Sequence, residues 1–463
     1  MIEKNMFTGS FMDMLDSKDP LIVLADIFPW SKIENNLQKY YRNQTAGRPN
    51  KPIRLMVGLL LLKQLENLSD ENIVLQFKRN PYYQYFCGCT EYTPSLPCHA
   101  TELVKFRNRI GKDGLEFIFK CSVDIHGDAA KESSVIIDST VQESNMTFPT
   151  DGKLAIKIIL KLLKIAKNEN IKLRRSFIKE IKKLRINLRF FRHPKKIKTA
   201  LGSMKRLRQI AMIILRDIDR KFGKLDINDL NSKPMQLHNK YAQSFYLFNR
   251  VLKQEKNTPN KIYSLHELDA YAINKGKDHK GYEFGTKASV VTTKTSGIIV
   301  GVSAHKINIH DSKTLDEVLA NTVKNIGDKI ITEAICDRGY RGTKEIIVNE
   351  NMIAISIPDT KRKKDTKKEI QIKREKFKRR AAIEPIIGHL KSDHRMARNY
   401  LKGFNGDEIN LLLAATAFNL KKWMNIYFYA LFLQDITLLL EATQEIQRLK
   451  SLYQILILLK LYF

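Results

Sequence analysis

Two short apolar runs that each end in an aspartate constrain the fold of this chain most strongly. Val135-Ile136-Ile137 leads directly into Asp138, and residues 330–336 lead into Asp337. Short apolar runs rich in β-branched residues are typical of buried strands. Because each run ends in a carboxylate, the sequence predicts a sheet with acidic side chains at the ends of two strands.

Strand and helix patterns alternate between residues 264 and 425. They predict strands at 268–272, 284–292, 297–305, 329–336 and 353–357, and helices at 311–326 and 342–351. Together with the first run, this order predicts an α/β fold in which a mixed sheet is flanked by helices. We expect that domain to comprise residues 134–150 and 264–425.

Helical patterns dominate both ends of the chain. Residues 1–125 predict an all-helical N-terminal domain, with an apolar helix at 53–65 and a short basic helix at 101–110 that ends at Gly111. A basic helix in such a domain can enter a DNA groove, although a plain helical domain with a charged outer face fits equally well. A helical tail is expected at 426–463, where it would close the core or form a subunit interface.

A long basic helical insertion follows the first predicted strand. Residues 151–263 are almost entirely helical in pattern, and residues 172–208 contain fifteen Lys and Arg and one acid. Pro194 interrupts this run, which predicts two helices in a hairpin. Its basic face could track DNA, or its apolar stripe could form a dimer contact; we favour DNA.

The charge balance points to a polyanionic partner. The 463 residues include 80 Lys and Arg against 49 Asp and Glu, a formal net charge of +31. Because neutralising phosphates releases counterions, double-stranded DNA is the expected partner, ahead of an anionic membrane. The N-terminus lacks the apolar core of a signal peptide, and every apolar stretch is too short for a membrane span, so we expect a cytoplasmic protein.

The five cysteines are too sparse for a disulfide scaffold. Cys87, Cys89 and Cys98 with His99 could form a zinc site. Their spacing matches no common structural-zinc pattern, so we interpret them as packed thiols.

Glu384 is the third candidate carboxylate. Arg380 precedes it by four residues and Lys391 follows it by seven, offsets that return to one stripe of an α-helix. Residues 361–380 contain twelve Lys and Arg and three acids, without apolar periodicity at their start. We expect a flexible basic loop that grips phosphate and leads into the helix of Glu384.

These three carboxylates match the ligand preference of Mg²⁺, which favours oxygen donors. Two such ions can support in-line attack on a phosphodiester. In the expected arrangement Asp138 bridges both ions, and Asp337 and Glu384 each complete one side. Alone, each acid has an ordinary structural explanation, so the assignment depends on the three together.

The motifs resemble those of the DDE transposases of bacterial insertion sequences. The similarity lies in residues 332–345 (TEAICDRGYRGTKE) and 377–391 (FKRRAAIEPIIGHLK). Many of these proteins carry a Tyr-x2-Arg-x3-Glu-x6-Lys signature, which this chain matches except at Phe377, in the tyrosine position. The resemblance also covers residues 47–111, 138–140 and 308–312.

This resemblance implies an RNase H-like catalytic domain with two Mg²⁺ ions, for which Mn²⁺ could substitute, in a nucleoid-associated bacterial protein. It implies a transposase, commonly a homodimer, that binds terminal inverted repeats and catalyses DNA cleavage and strand transfer. The implied catalytic and metal-binding residues are Asp138, Asp337 and Glu384. The expected DNA contacts are Arg380, Lys391, Phe377, Arg338, Arg379 and Lys378. Asp311 is a candidate fourth acid, although a helix N-cap is its expected role.

Two other functions fit the same residues. A metal-dependent DNA nuclease would use the same carboxylates without strand transfer. A decayed transposase acting as a noncatalytic DNA-binding repressor would keep the basic surfaces, but the intact acids and Lys391 speak against it.

Overall fold

The computed structural model describes most of the chain. The described residues are 11–41, 49–223, 232–277, 280–327, 330–358 and 366–462. Several predicted features therefore fall outside them: the first ten residues of the N-terminal domain, Gly47 and Arg48 of the family resemblance, the start of the basic run at 361–365, and Phe463.

The N-terminal part is helical, as predicted. Its helices are α1 Pro20–Ile27, α2 Trp30–Leu37, α3 Ile53–Leu65, α4 Asp70–Arg79, α5 Pro81–Phe86 and α6 Ala100–Asp124. Helix α3 carries apolar residues on every side. This composition allows the surrounding structure to bury nearly all of the helix. The expected helix end at Gly111 is confirmed. The backbone leaves helical geometry there, with φ 59° and ψ −159°, so α6 consists of two helical segments that meet at a kink.

Two of the N-terminal cysteines are packed thiols. Cys87 and Cys98 are buried in the helical core. Burial raises the pKa of the Cys87 thiol well above its usual value and that of Cys98 to about 11. Both sulfurs are therefore neutral near pH 7, as expected for thiols that pack in a core.

Eight strands in the described part of the chain form one mixed sheet. They are β1 Ser134–Ser144, β2 Tyr271–Lys277, β3 Lys280–Thr293, β4 Ile299–His305, β5 Glu333–Ile335, β6 Glu345–Val348, β7 Asn351–Ser356 and β8 Arg398–Asn399. The central strand β1 runs antiparallel to β3 and parallel to β5. Beyond them, β4 pairs with β3 antiparallel and β7 pairs with β5 parallel. The predicted mixed α/β fold is confirmed.

The segment from Gly342 to Asn351 differs from its prediction as a helix. It forms β6 and the turn into β7, which pairs with β6 antiparallel. Ile346 and Val348 are buried, whereas Ile347 is 71% exposed. This alternation has the period of a strand, and four residues are too few to distinguish it from a helical period by sequence.

The insertion between β1 and β2 is built from four described helices, α7 Asp151–Asn168, α8 Ile178–Asn187, α9 Ile197–Phe222 and α10 Lys233–Lys253. A short 3-10 helix, Leu188–Arg192, follows α8, and Pro194 lies in the turn before α9. The predicted hairpin is therefore present. The helices enclose an apolar cluster that includes Leu162, Leu207 and Phe248.

Four further helices complete the described structure: α11 Leu315–Ile326, α12 Lys367–Lys378, α13 Ile383–Ser392 and α14 Gly403–Tyr462. Helix α11 packs against β4, and the first part of α14 packs against α6, α3 and β4. Residues 409–420 of α14 are mostly buried, whereas Phe428, Tyr429 and Phe432 are exposed. No helix among the described residues is long and apolar enough to cross a membrane.

Candidate active site

Strands β1 and β5 place two of the candidate acids side by side. The strands are parallel, and Ile136 lies opposite Ile335. Asp138 and Asp337 each follow by two residues, and the backbone at Asp337 is still extended. Because side chains alternate along a strand, the two aspartates lie level with each other, on the face of the sheet that carries the two isoleucines.

Both aspartates influence the same two buried side chains. Burial raises the pKa of the Cys336 thiol, and the carboxylates of Asp337 and Asp138 raise it further. Burial also raises the pKa of the Tyr340 hydroxyl well above its usual value, and nearby Asp311, Asp138 and Asp337 add to the rise. All three aspartates thus act electrostatically on one buried phenol.

Short hydrogen bonds to the backbone orient the carboxylates. The Ser139 amide donates to Asp138 Oδ1 at 2.7 Å. The Gly339 amide donates to Asp337 Oδ1 at 2.8 Å, so that Asp337 caps the 3-10 helix Arg338–Tyr340. A methyl group on Gly339 would lie 2.9 Å from Asp337 Oδ1 and 3.2 Å from Asp311 Oδ2. Because Gly339 has no side chain, the two carboxylates can approach it this closely.

Asp311 lies beside this pair and has a cation partner that the sequence reasoning missed. Lys287 Nζ donates to Asp311 Oδ1 at 3.0 Å and to the Ile309 carbonyl at 2.6 Å. The expected N-cap role of Asp311 was wrong, because His310 Nδ1 accepts the hydrogen bond from the Ser312 amide. A lysine within the apolar part of β3 was the available signal, since a buried lysine needs a charged partner.

Glu384 occupies the first turn of α13. Arg380 lies in a 3-10 helix, Arg379–Ala382, that separates α12 from α13, so the expected stripe on one continuous α-helix was wrong. The pair is nevertheless adjacent: Arg380 Nη2 lies 3.8 Å from Glu384 Oε1. The Glu384 side chain is 64% exposed. Lys391 is half-buried in the last turns of α13.

An apolar contact holds α13 against the strands of the two aspartates. Ile383 is fully buried and packs with Ile136 and Ile335, and Phe377 and Ile387 pack against this cluster. Ile383, which directly precedes Glu384, therefore packs on Ile136 and Ile335. These two isoleucines lie two positions before the two aspartates. Phe377 is half-buried here, so at least part of its ring packs within the protein.

The structure brings Asp138 and Asp337 together with Asp311, and it leaves Glu384 outside this group. In the part of the chain that is described, no three acidic, histidine or cysteine side chains form a ligand set for a metal ion. The donors of the aspartate pair are carboxyl oxygens, which suit a hard divalent cation such as Mg²⁺. The chemistry of the pair therefore fits the expected ion.

The remaining candidate DNA contacts lie in two places: Lys378, Arg379 and Arg380 at the end of α12 and in the 3-10 helix after it, and Arg338 in the 3-10 helix after β5. Lys378, Arg379 and Arg338 are exposed, and Arg380 is half-buried. The basic run was expected to be a flexible loop, but its described part is the helix α12. The helix forms because Thr366 and Glu369 close a capping box at its N-terminus.

Comparisons with known proteins identify the family. Residues 9–109 match a family described as a transposase domain (DUF772), and residues 253–420 match a transposase DDE domain. An uncharacterized protein, ORF8 in the nfe locus of Rhizobium meliloti, is 36% identical over 192 residues, which are 40% of this chain and 92% of that protein. No solved structure matches the chain. The chain belongs to the DDE transposases of insertion sequences.

Proposed function

We propose that this transposase binds the terminal inverted repeats of its insertion sequence and catalyses Mg²⁺-dependent cleavage and strand transfer, acting as a homodimer. One observation carries the proposal. Asp138 and Asp337 lie level on adjacent parallel strands, and the helix of Glu384 is seated on the same strands through Ile383. These two contacts support a site to which separate regions of the chain would each contribute an acid.

The strand arrangement supports an RNase H-like fold for the catalytic domain. Three strands in the order β4-β3-β1 are antiparallel, and β5 and β7 then continue the sheet parallel to β1. The first acid lies on the central strand, and the second follows its parallel neighbour. We assign the fold on this order together with the DDE-domain match.

The three acids would hold the metal. Asp138 and Asp337 are oriented by backbone amides, and the exposed Glu384 side chain would turn toward them from α13. When bound, Mg²⁺ activates the attacking water or 3′-hydroxyl and stabilises the leaving oxygen. The fixed aspartates would keep the site ready for the ions without further ordering of the strands.

The cations near Glu384 would hold the DNA backbone at the cut. Arg380 can form a bidentate contact with a phosphate, and Lys391 provides a point charge. Lys378, Arg379 and Arg338 are exposed and would add further positive charge to the DNA contact. Phe377 is half-buried and would contact the DNA through the exposed part of its ring.

The test uses purified protein with a DNA fragment that carries both ends of its own element, a target plasmid and Mg²⁺. We expect cut ends and joined products. Asp337→Asn and Glu384→Gln should bind the ends as the unmodified protein does and yield neither product. Asp128→Asn is the matched control, because that side chain is 99% exposed and its ion-pair partner, Lys131, is not one of the proposed site residues.

Each alternative function has its own outcome. Cuts without joined products would identify a nuclease and contradict the strand-transfer part of the proposal. Binding without cleavage by the unmodified protein would identify a noncatalytic DNA-binding protein. Full activity of Glu384→Gln would remove Glu384 from the site.

A further inference from the structure

The hairpin of residues 172–208, here called the basic hairpin, is not explained by either family match. It comprises α8, the 3-10 helix that follows and the start of α9. The matched segments end at residue 109 and resume at residue 253. The basic hairpin therefore lies outside both matched segments.

Most of its charge is unneutralised. Within the described structure, two of its fifteen Lys and Arg form ion pairs, Arg206 with Glu180 at 2.7 Å and Arg208 with Asp151 at 3.1 Å. The remaining thirteen are exposed. So many like charges repel one another, so a surface of this kind is favourable mainly where a polyanion binds to it.

Exposed cations follow α8 and the 3-10 helix after it. Ile181 is buried and Leu184 and Leu188 are half-buried within the insertion. Lys182 and Arg185 are exposed on α8 at a spacing of three residues, which places them on neighbouring turns, and Arg189 is exposed in the 3-10 helix. With a rise of 1.5–2.0 Å per residue the three span roughly 10 Å, the scale of a few successive phosphates.

The packing favours nucleic acid over a membrane surface. A helix that binds in a bilayer interface must bury its apolar face in lipid. Here that face is occupied inside the protein, since Ile181 belongs to the cluster formed with α7 and α9, and Leu184 and Leu188 pack against it. Outward, the hairpin presents its exposed cations, with Ile178, Ile186 and Phe191 exposed among them.

The hairpin is also anchored near the strand of Asp138. Helix α7 begins at Asp151, seven residues after β1 ends at Ser144. A methyl group on Gly152, in the first turn of α7, would lie 2.8 Å from a Leu188 methyl group, so the two segments are in close contact. The hairpin therefore packs on the helix that follows the strand of Asp138 along the chain.

We propose that the basic hairpin is a second DNA-binding surface, which holds the phosphate backbone of duplex DNA flanking the site of cleavage. The flanking position rests on the proposed function. The binding itself does not, because it involves no residue of the aspartate group and requires no metal.

The experiment compares two triple variants of the full chain. Lys182→Gln/Arg185→Gln/Arg189→Gln removes three charges from the hairpin, and Lys161→Gln/Lys164→Gln/Lys167→Gln removes three exposed charges from α7. Affinity for a mixed-sequence duplex is measured by fluorescence anisotropy over a series of salt concentrations without Mg²⁺. The slope of log K against log salt should become shallower by about two to three for the hairpin variant. Its affinity should fall more than tenfold at fixed salt, while the α7 variant keeps the slope and affinity of the unmodified protein.

Three results would overturn the proposal: an unchanged slope in the hairpin variant, an equal loss in both variants, or preferential binding to phosphatidylglycerol vesicles over the duplex. Thermal melting followed by circular dichroism verifies that both variants fold. Asp337→Asn should keep the full salt slope. If that variant still cut DNA, the proposed function would fail while the hairpin assignment stood.

Discussion

At the scale of single residues, the site depends on carboxylates held close together. Asp311 and Asp337 both approach Gly339, and like charges at such a distance repel each other. Lys287, which is 7% exposed, offsets part of this repulsion through its ion pair with Asp311. The lysine thus stabilises an arrangement that two aspartates alone would disfavour.

Lys287→Met should destabilise the protein by about 1–3 kcal/mol, because it leaves Asp311 beside Asp337 without its cation. Chemical denaturation measures the loss. The double variant Lys287→Met/Asp311→Asn should recover much of the stability, since it removes the uncompensated charge. If the stability losses of Lys287→Met and Asp311→Asn, measured singly, add up to the loss of the double variant, the pair is not coupled and this explanation fails.

Gly339→Ala should lower DNA cleavage far more than it lowers stability. The added methyl group would meet Asp337 Oδ1 at 2.9 Å and so displace the carboxylate. Cleavage rates and melting temperatures are measured in parallel. Gly281→Ala, near the start of β3 and with nothing within 4 Å of the new methyl group, is the control and should leave activity unchanged. Normal cleavage by Gly339→Ala would show that this close approach is not required.

At the scale of elements, a polar clamp joins the N-terminal helices to the end of α13. Gln64 Nε2 on α3 donates to the His394 carbonyl at 2.7 Å, and His394 Nδ1 lies 3.2 Å from the Gln64 carbonyl. Burial lowers the pKa of His394, so its ring is neutral at pH 7 and Nδ1 donates to that carbonyl. Asn67 adds a bond to the Ser392 carbonyl at 3.0 Å. The helix of Glu384 is therefore held by the N-terminal domain as well as by the sheet.

Gln64→Met should cost about 1–3 kcal/mol and weaken the attachment of α13. Hydrogen exchange of the α13 amides should become faster. Gln84→Met is the matched control: Gln84 is equally buried, but its side chain bonds the Phe77 carbonyl at 3.0 Å, within the N-terminal domain. A similar loss of protection in α13 for both variants would mean that the clamp has no specific effect.

The sequence predicted the elements that bury regular apolar faces. Strand β1 follows from its apolar run, and α3 follows from thirteen residues with hardly a break in hydrophobicity. It did not predict β6, whose Ile347 is exposed, or the 3-10 break at Arg379–Ala382. Both depend on tertiary packing, which local periodicity does not encode.

At the scale of the whole molecule, Asp407 connects α14 with three strands of the sheet. Its carboxylate accepts from Thr286 on β3 at 2.5 Å and from Asn399 on β8 at 2.7 Å, and Gln142 on β1 lies 3.3 Å away. The prediction of mixed α/β architecture was correct, but contacts between such distant positions could not be read from one sequence. The same holds for Lys287 with Asp311 and for Gln64 with His394.

The stability of the whole fold should depend on pH through Asp407. Burial raises the pKa of Asp407 to about 6, against the effect of its hydrogen bonds. The folded state then holds a proton that the unfolded state releases near pH 4, so this group's contribution to stability falls as pH rises from about 4 to about 6. Asp407→Asn should remove this pH dependence. The difference in free energy of unfolding between the variant and the unmodified protein should therefore change by about 3 kcal/mol between pH 4 and pH 6.

Urea denaturation at several pH values measures this difference, with Asp128→Asn as the exposed control that should follow the unmodified protein. A constant difference between the Asp407→Asn variant and the unmodified protein from pH 4 to pH 7 would contradict the raised pKa.

The proposed function requires one metal site shared by Asp138, Asp337 and Glu384, and mapping that site on the polypeptide tests it most directly. Fe²⁺ replaces Mg²⁺ in the DNA-bound protein, ascorbate and peroxide generate hydroxyl radicals at the metal, and mass spectrometry locates the backbone cuts. We predict cuts beside all three acids that excess Mg²⁺ suppresses and Asp337→Asn abolishes. Cuts beside the two aspartates without any near Glu384, or cuts that Mg²⁺ does not suppress, would contradict the account.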